Sequence, residues 1–375
     1  MKTKPKIAII APYWRPARIS GTELAHEMTY RALQKSYKPI VIASDSYGVR
    51  YFRNILAYPR IASTPNIIRL PNNPTSTLLH HLIRHTHGPI INSKELLQVL
   101  RKFDINAILL SSFPHDINQK AISVIKEHKL PIKIYFQPHF HPDQYQKYNK
   151  TFHTICKQVD QLLVWTQDEK RRIVIKYRVP RNKITIIKPP LFRTAVSPPL
   201  PKRDNDGMFK ILYAGEKNEH KGIHSLIDAL KLIDTQNVKL ITIGPHDWKW
   251  EVYKRTHNNP FLKDLGYVDH KTKEKLFSEC DIFCLPSHAD SFGFAYLDAW
   301  RYKKPVIAAD TPVMREVIGK GGLLVDRNNP EGFSLTLKKL IDNRELRERL
   351  GQTGFTSLQR FSYRKNLKSF LKLFE

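Results

Sequence analysis

Two short apolar runs, residues 281–285 (D-I-F-C-L) and 305–309 (P-V-I-A-A), bracket a loop and a helical pattern, an order that leaves few folds open. Each run has strand length and is apolar throughout, as strands buried on both faces are, and a helix between them makes the pair parallel. Such a unit is half of a doubly wound α/β sheet. In these sheets ligands gather at the carboxyl ends of strands, where loops meet helix N-termini whose free N–H groups attract phosphate. Ser291, Phe292 and Gly293 fall at that junction. Gly293 lets backbone approach a diphosphate closely, and Asp290 and Asp298 bracket the loop with acceptors suited to sugar hydroxyls. With a helix starting near Phe294, Asp290 stays in the loop and Asp298 lies about one turn inside, so both can line one cleft. A plainer reading makes Asp290 a helix cap and Asp298 a solvated helix residue.

The same alternation runs through the chain. Residues 6–11, 39–44, 103–111, 131–137, 161–166 and 184–188 read as strands of a first domain over 1–190, with helical patterns such as 22–34 and 117–129 between them. An irregular segment reaches to about residue 74, and residues 75–103 hold a helical pattern interleaved with His80, His81, His85 and His87. That basic stretch reads as a solvated face, as a contact for a membrane or a phosphate-bearing acceptor, or as a metal site, the last disfavoured by the lack of nearby carboxylates or cysteines. Residues 191–207 carry proline and charge without periodicity and read as a linker. A second domain over 208–360 opens with strand 209–214, a glycine-bounded turn and a helix from Ile223, and residues 361–375 form a closing helix.

The 375 residues suffice for two cores. No apolar run reaches the roughly eighteen residues of a membrane-spanning helix. Cys156, Cys280 and Cys284 lack metal-ligand spacing and read as reduced thiols, which points to the cytoplasm. The net charge is +28, and residues 1–190 hold 31 Lys and Arg against 11 Asp and Glu. This excess reads either as solvated basic faces or as attraction to an anionic partner. Helix-turn-helix, zinc-finger and RNA-recognition signatures are missing, so an anionic membrane surface or a phosphorylated acceptor fits better than nucleic acid.

Asp290, Phe292, Gly293, Asp298, Ala299, Pro305 and Val306 together resemble the signature of retaining glycosyltransferases of family 4, which usually have Glu at both acidic places. The resemblance implies the GT-B fold, two Rossmann-like doubly wound domains facing a central cleft. Gly215, Lys221 and Gly222 match the family's phosphate-binding turn, with Glu216 in place of its arginine and Lys217 as a neighbouring cation. By this resemblance Lys221 and the loop of Ser291, Phe292 and Gly293 hold the donor diphosphate. Asp298 binds ribose, Asp290 holds donor-sugar hydroxyls, and the turn of Gly266, Tyr267 and Val268 meets the base. Ser20 and Gly21 stand where the family has two glycines near donor phosphate, with Arg15 and Arg18 beside them. Asp104 and the apolar run after it resemble the strand before the acceptor cleft. A histidine at the end of strand 131–137 is implied to lie beside the anomeric carbon, His141 first and His139 second. The final helix is implied to cross back onto the first domain. The implied activity moves a sugar from a UDP- or GDP-sugar to a glycan, glycolipid or other acceptor with retention, in cell-envelope polysaccharide or glycoconjugate synthesis. The nucleotide-sugar is a substrate, and neither cofactor nor metal is expected. Two rival readings are a nucleotide-sugar epimerase of the same architecture and a non-catalytic relative that binds nucleotide or an anion.

Overall fold

The computed structural model describes residues 5–14, 21–45, 63–71, 91–139, 148–189 and 207–375, except residues 235, 247 and 289 and the side chain of Thr22. His141, Ser20, Arg15, Arg18, the histidine-bearing stretch 80–87 and the linker before Gly207 lie outside the described residues. The chain divides into two compact units, Met1–Phe192 together with Tyr363–Glu375, and Arg193–Ser362.

The first unit is built on strands β1 (Ile7–Ala11), β2 (Ile40–Ser44), β3 (Ile67–Leu70), β4 (Ala107–Ser111), β5 (Lys133–Gln137), β6 (Gln161–Val164) and β7 (Ile184–Ile186). They form one parallel sheet in the order β3-β2-β1-β4-β5-β6-β7. Ile9 of β1 sits opposite Val41 on one side and Leu109 on the other. All residues of β1, β2 and β4 are buried, as expected of strands covered on both faces. The order reverses between β1 and β4, which opens a crevice at their carboxyl ends.

One expectation needs correction here. The segment expected to be irregular up to residue 74 contains β3, a short strand at the sheet edge whose central Arg69 hides its apolar pattern. Asp104 lies before the start of β4, exposed and paired with Lys6 at 3.1 Å. It stands at the amino end of that strand, which begins at Ala107.

After its excursion through the second unit the chain returns as helix Tyr363–Leu371. The Tyr135 hydroxyl donates to the Leu373 carbonyl at 2.6 Å, and the Phe374 ring lies 4.7 Å from that of Tyr135.

The second unit carries β8 (Phe209–Ala214), β9 (Val238–Ile243), β10 (Leu262–Asp264), β11 (Ile282–Leu285), β12 (Val306–Ala309) and β13 (Gly322–Val325). These too are parallel, in the order β10-β9-β8-β11-β12-β13, with the reversal between β8 and β11. At its far side Asp264 of β10 gathers the unit's buried polar groups. Its carboxylate accepts from Thr242 Oγ1 at 2.9 Å, Trp250 Nε1 at 2.8 Å and Lys254 Nζ at 3.0 Å, and pairs with Lys217 Nζ at 3.1 Å. Burial would raise the carboxyl's pKa, but the Trp250 indole, Lys217, Lys254 and the Gly266 amide outweigh it and hold the group well below the usual carboxylate range.

Candidate active site

The β8–β11 reversal places two loops side by side. Leaving β8, the chain makes a tight turn, Glu219–Lys221, in which the Asn218 side chain accepts from the Lys221 amide at 2.9 Å. Gly222 follows at φ +73°, and a Cβ there would run into the Pro286 carbonyl oxygen beyond β11. Glycine is thus required twice, for a left-handed conformation and for the close approach of the two loops. Helix Ile223–Lys231 then begins.

Leaving β11, the loop descends through Asp290 and Ser291 to Gly293, at φ +81°, which starts helix Phe294–Arg301. Phe292 is buried, edge-on to Phe361 at 5.2 Å and near Phe294 at 5.1 Å, so its ring anchors the loop and only its backbone is left to face a ligand. The Tyr296 hydroxyl donates to the Leu285 carbonyl at 2.5 Å and ties the new helix to the strand end.

Across this crevice Lys221 Nζ meets Asp290 Oδ1 at 2.5 Å, both side chains partly covered. Asp290 does not cap the helix, because the cap position is Gly293 and no side chain bonds there. Nor is Asp298 a solvated residue. It lies inside the helix with its side chain 13% exposed and takes a 2.7 Å hydrogen bond from Lys273 Nζ. Ser291, Gly293 and Gly215 border the same crevice, with Gly215 packed against Leu285 so that a Cβ would sit 3.1 Å from its Cδ1. Val268 is half-buried in the loop after β10, and the Gly266 carbonyl accepts from the Gly244 amide at 2.7 Å.

Lys217 is not a spare phosphate-binding cation. Its side chain is fully buried, with Nζ donating to the Gly244 carbonyl at 2.5 Å and paired with Asp264. Burial pushes its pKa down, opposed by the Asp264 charge. The residue staples the β8 turn to β9 and β10, which leaves Lys221 as the turn's outward cation.

In the first unit the β1–β4 crevice is lined with aromatic rings. Trp14 stacks on His26 with centroids 6.4 Å apart, and His26 Nε2 lies 3.5 Å from Ser112 Oγ. Ser112 and His139 both adopt positive φ, +67° and +49°, conformations that cost about 1–3 kcal/mol and persist where surroundings enforce them. Asn118 enforces the first by bonding the Ser112 carbonyl. The Trp165 indole donates to His139 Nδ1 at 2.9 Å. That bond leaves the His139 proton on Nε2, 3.2 Å from Ser111 Oγ, so both ring nitrogens are engaged and the imidazole is neutral. His139, the second-placed histidine for the anomeric carbon, is thus buried with both ring nitrogens engaged. His26, which periodicity assigns only to a helix face, occupies this crevice, and burial pushes its pKa down to about 4 against the pull of Glu23. Gly21 is exposed and opens helix Gly21–Leu33.

Residues 201–357 match the family described as glycosyl transferases, group 1. That match lies within the second unit. Over 174 residues the chain is 32% identical to an uncharacterized glycosyltransferase of Methanocaldococcus jannaschii, the match covering 46% of this chain and 49% of that relative. It is 23% identical over 265 residues to O-antigen chain mannosyltransferase B of Escherichia coli, covering 67% and 68%. The chain thus spans about half the length of the first relative and two thirds of the second. Among solved structures, HepE of Anabaena in complex with UDP and glucose is similar with TM-score 0.74 at 14% identity, covering 98% of this chain and 99% of that one. Sucrose-phosphate synthase of Thermosynechococcus elongatus gives TM-score 0.74 at 15% identity, covering 99% and 98%. At such identities the likeness concerns the fold, two parallel-sheet Rossmann-like units of the GT-B class. The segment matched by the group 1 glycosyltransferase family contains Lys221, Asp290, Gly293 and Asp298.

Proposed function

We propose that the protein is a retaining glycosyltransferase that moves a hexosyl group from a nucleotide diphosphate donor, UDP- or GDP-linked, to a glycan, glycolipid or other acceptor. The contact of Lys221 with Asp290 at the β8–β11 reversal carries this reading, since it sets one cation and one sugar-type acceptor side by side where doubly wound sheets bind phosphorylated ligands. As the glycosidic bond breaks, charge builds on the leaving diphosphate. Lys221, the amides at Gly293 and the N-terminus of helix Ile223–Lys231 offset that charge without a strong base, and these groups make the reaction metal-independent. Asp290 holds donor-sugar hydroxyls, Asp298 the ribose and the turn at Val268 the base. Ser20 and Gly21 meet donor phosphate, and His141 approaches the anomeric carbon.

The family relatives include an O-antigen mannosyltransferase and a capsular polysaccharide glycosyltransferase, which supports a role in cell-envelope polysaccharide or glycoconjugate synthesis. The basic first unit suits an anionic or lipid-linked acceptor and peripheral contact with an anionic membrane on its cytoplasmic side. Among the described residues no helix is long and apolar enough to cross a membrane.

Calorimetric titration of wild type and Lys221→Ala with UDP, GDP and their sugar conjugates, with and without EDTA, tests the reading. Binding of one conjugate, insensitive to EDTA and lost in the variant, is expected. Absence of binding by the wild type refutes it. Acceptor-independent change of the bound sugar assigns an epimerase instead, and tight binding without product a non-catalytic relative.

A further inference from the structure

Beyond β13 the chain turns tightly, Asp326 Oδ1 accepting from the Asn328 amide at 2.9 Å, and Arg327 projects from that turn towards the β8 turn. Its Nη1 lies 2.8 Å from the Glu219 carbonyl oxygen, 3.4 Å from that of His220 and 2.5 Å from His288 Nδ1. The first two acceptors belong to the turn that carries Lys221, and the third to the loop that carries Asp290. Two weaker links join the same segments, His288 N to the His220 carbonyl at 3.3 Å and Ser287 Oγ to that carbonyl at 3.5 Å. Burial lowers the Arg327 pKa, opposed by Glu219, yet a guanidinium keeps its charge at neutral pH. Since Arg327 can only donate, His288 Nδ1 must accept, which places the imidazole proton on Nε2 and keeps that ring neutral while the contact lasts.

We propose that Arg327 is a positioning residue for the diphosphate site, clamping the Glu219–Lys221 turn to the His288–Asp290 loop so that Lys221 is held at Asp290. The purpose of the clamp, though not its existence, rests on the transferase reading above. Without Arg327 the turn carbonyls lose a charged donor, and the two loops keep the Lys221–Asp290 contact itself and the long links through Ser287 and His288. All three contacts are made by one nitrogen, Nη1, so lysine at this position retains a charged donor but, on a flexible stem without the rigid guanidinium plane, restores the contacts only in part.

Hydrogen–deuterium exchange across residues 216–222 and 286–293, in wild type, Arg327→Ala and Arg327→Lys, tests the clamp without any ligand. Faster exchange in both segments is expected for Arg327→Ala and a smaller change for Arg327→Lys, with exchange in the first unit unaltered. UDP and GDP titrations of the same folded proteins test its purpose. Affinity for whichever nucleotide the wild type binds should fall by about tenfold in Arg327→Ala, the order of one lost charge-assisted contact, and recover in part in Arg327→Lys. Arg315→Ala, which removes an exposed ion pair to Asp310 and touches neither loop, should bind as wild type does. A residue that merely stabilises the fold would lower the melting temperature and leave the affinity of the folded protein unchanged. Unchanged exchange in both segments overturns the proposal, as does wild-type affinity in Arg327→Ala. If that variant does not fold, Arg327→Lys alone decides by the same two measurements. A wild type that binds neither nucleotide refutes the transferase reading, while the exchange result still decides whether the clamp exists.

Discussion

Lys217 and Lys221 belong to one short turn and end in opposite situations. Lys217 is sealed against Asp264 and the Gly244 carbonyl, whereas Lys221 lies at the mouth of the β8–β11 crevice. Removing one partner of a buried pair leaves the other charge uncompensated, a loss of about 3–5 kcal/mol. We expect Lys217→Ala at the low end of that range, because Lys254 still neutralises Asp264, and urea unfolding at neutral pH would measure it. Lys221→Ala, with its partly exposed side chain, should leave the urea midpoint almost unchanged while removing nucleotide binding. Gly222→Ala should destabilise more than Gly207→Ala. Both pay the left-handed cost of about 1–2 kcal/mol, but a Cβ on Gly207 meets nothing within 4 Å and one on Gly222 meets the Pro286 carbonyl. At this scale the sequence separates poorly. Adjacent basic residues in a turn look alike, and what distinguishes Lys217 is a carboxylate on a distant strand. Arg327 was equally silent, since two of its acceptors are backbone carbonyls and the third is an imidazole on a distant loop, a set that no local motif announces.

At the scale of elements, strands bounded by glycine or a charged residue were legible: Phe209–Ala214 and Ile282–Leu285 coincide with their apolar runs, and helix Phe294–Arg301 begins at the residue that the loop spacing indicates. Two of the edge strands were not. Ile67–Leu70 and Leu262–Asp264 are short, carry Arg69 or Asp264, and owe their existence to pairing with a neighbouring strand rather than to their own pattern. The second of these edges supports a pH prediction. Asp264 is held below its ordinary value of 3.8 in the folded chain. Its stabilising contribution is therefore complete above pH about 4 and is lost as pH falls from there through the depressed folded value. Urea midpoints of the wild type should decline along that acid limb. Asp264→Asn should be less stable at pH 7 yet show a shallower acid decline, and equal slopes would refute the assignment of the limb to this carboxylate.

For the whole molecule, charge and chain path lead to separate expectations. Residues 1–190 carry a net +20 of the total +28. Each Lys or Arg near an anionic surface contributes about 1 kcal/mol, screened within a Debye length of about 10 Å at 0.1 M salt. Vesicles rich in phosphatidylserine should thus sediment the protein at low salt and release it at high salt, with neutral vesicles inactive throughout. The chain path makes the last residues part of the first unit rather than of the second, which they follow in sequence. Phe370 and Phe374 are buried with their rings 5.5 Å apart, and Phe374 reaches the rings of both Tyr37 and Tyr135. Truncating a buried phenylalanine costs about 3–5 kcal/mol. Phe374→Ala should therefore weaken the first unit by that order although the residue sits at the far end of the sequence. Hydrogen exchange localises the effect. Protection should fall in β1, β2 and β5, which underlie Tyr37 and Tyr135, and persist in β8 to β13. Loss confined to the second unit would mean that the closing segment belongs with the residues preceding it and that the two units fold as an uninterrupted tandem.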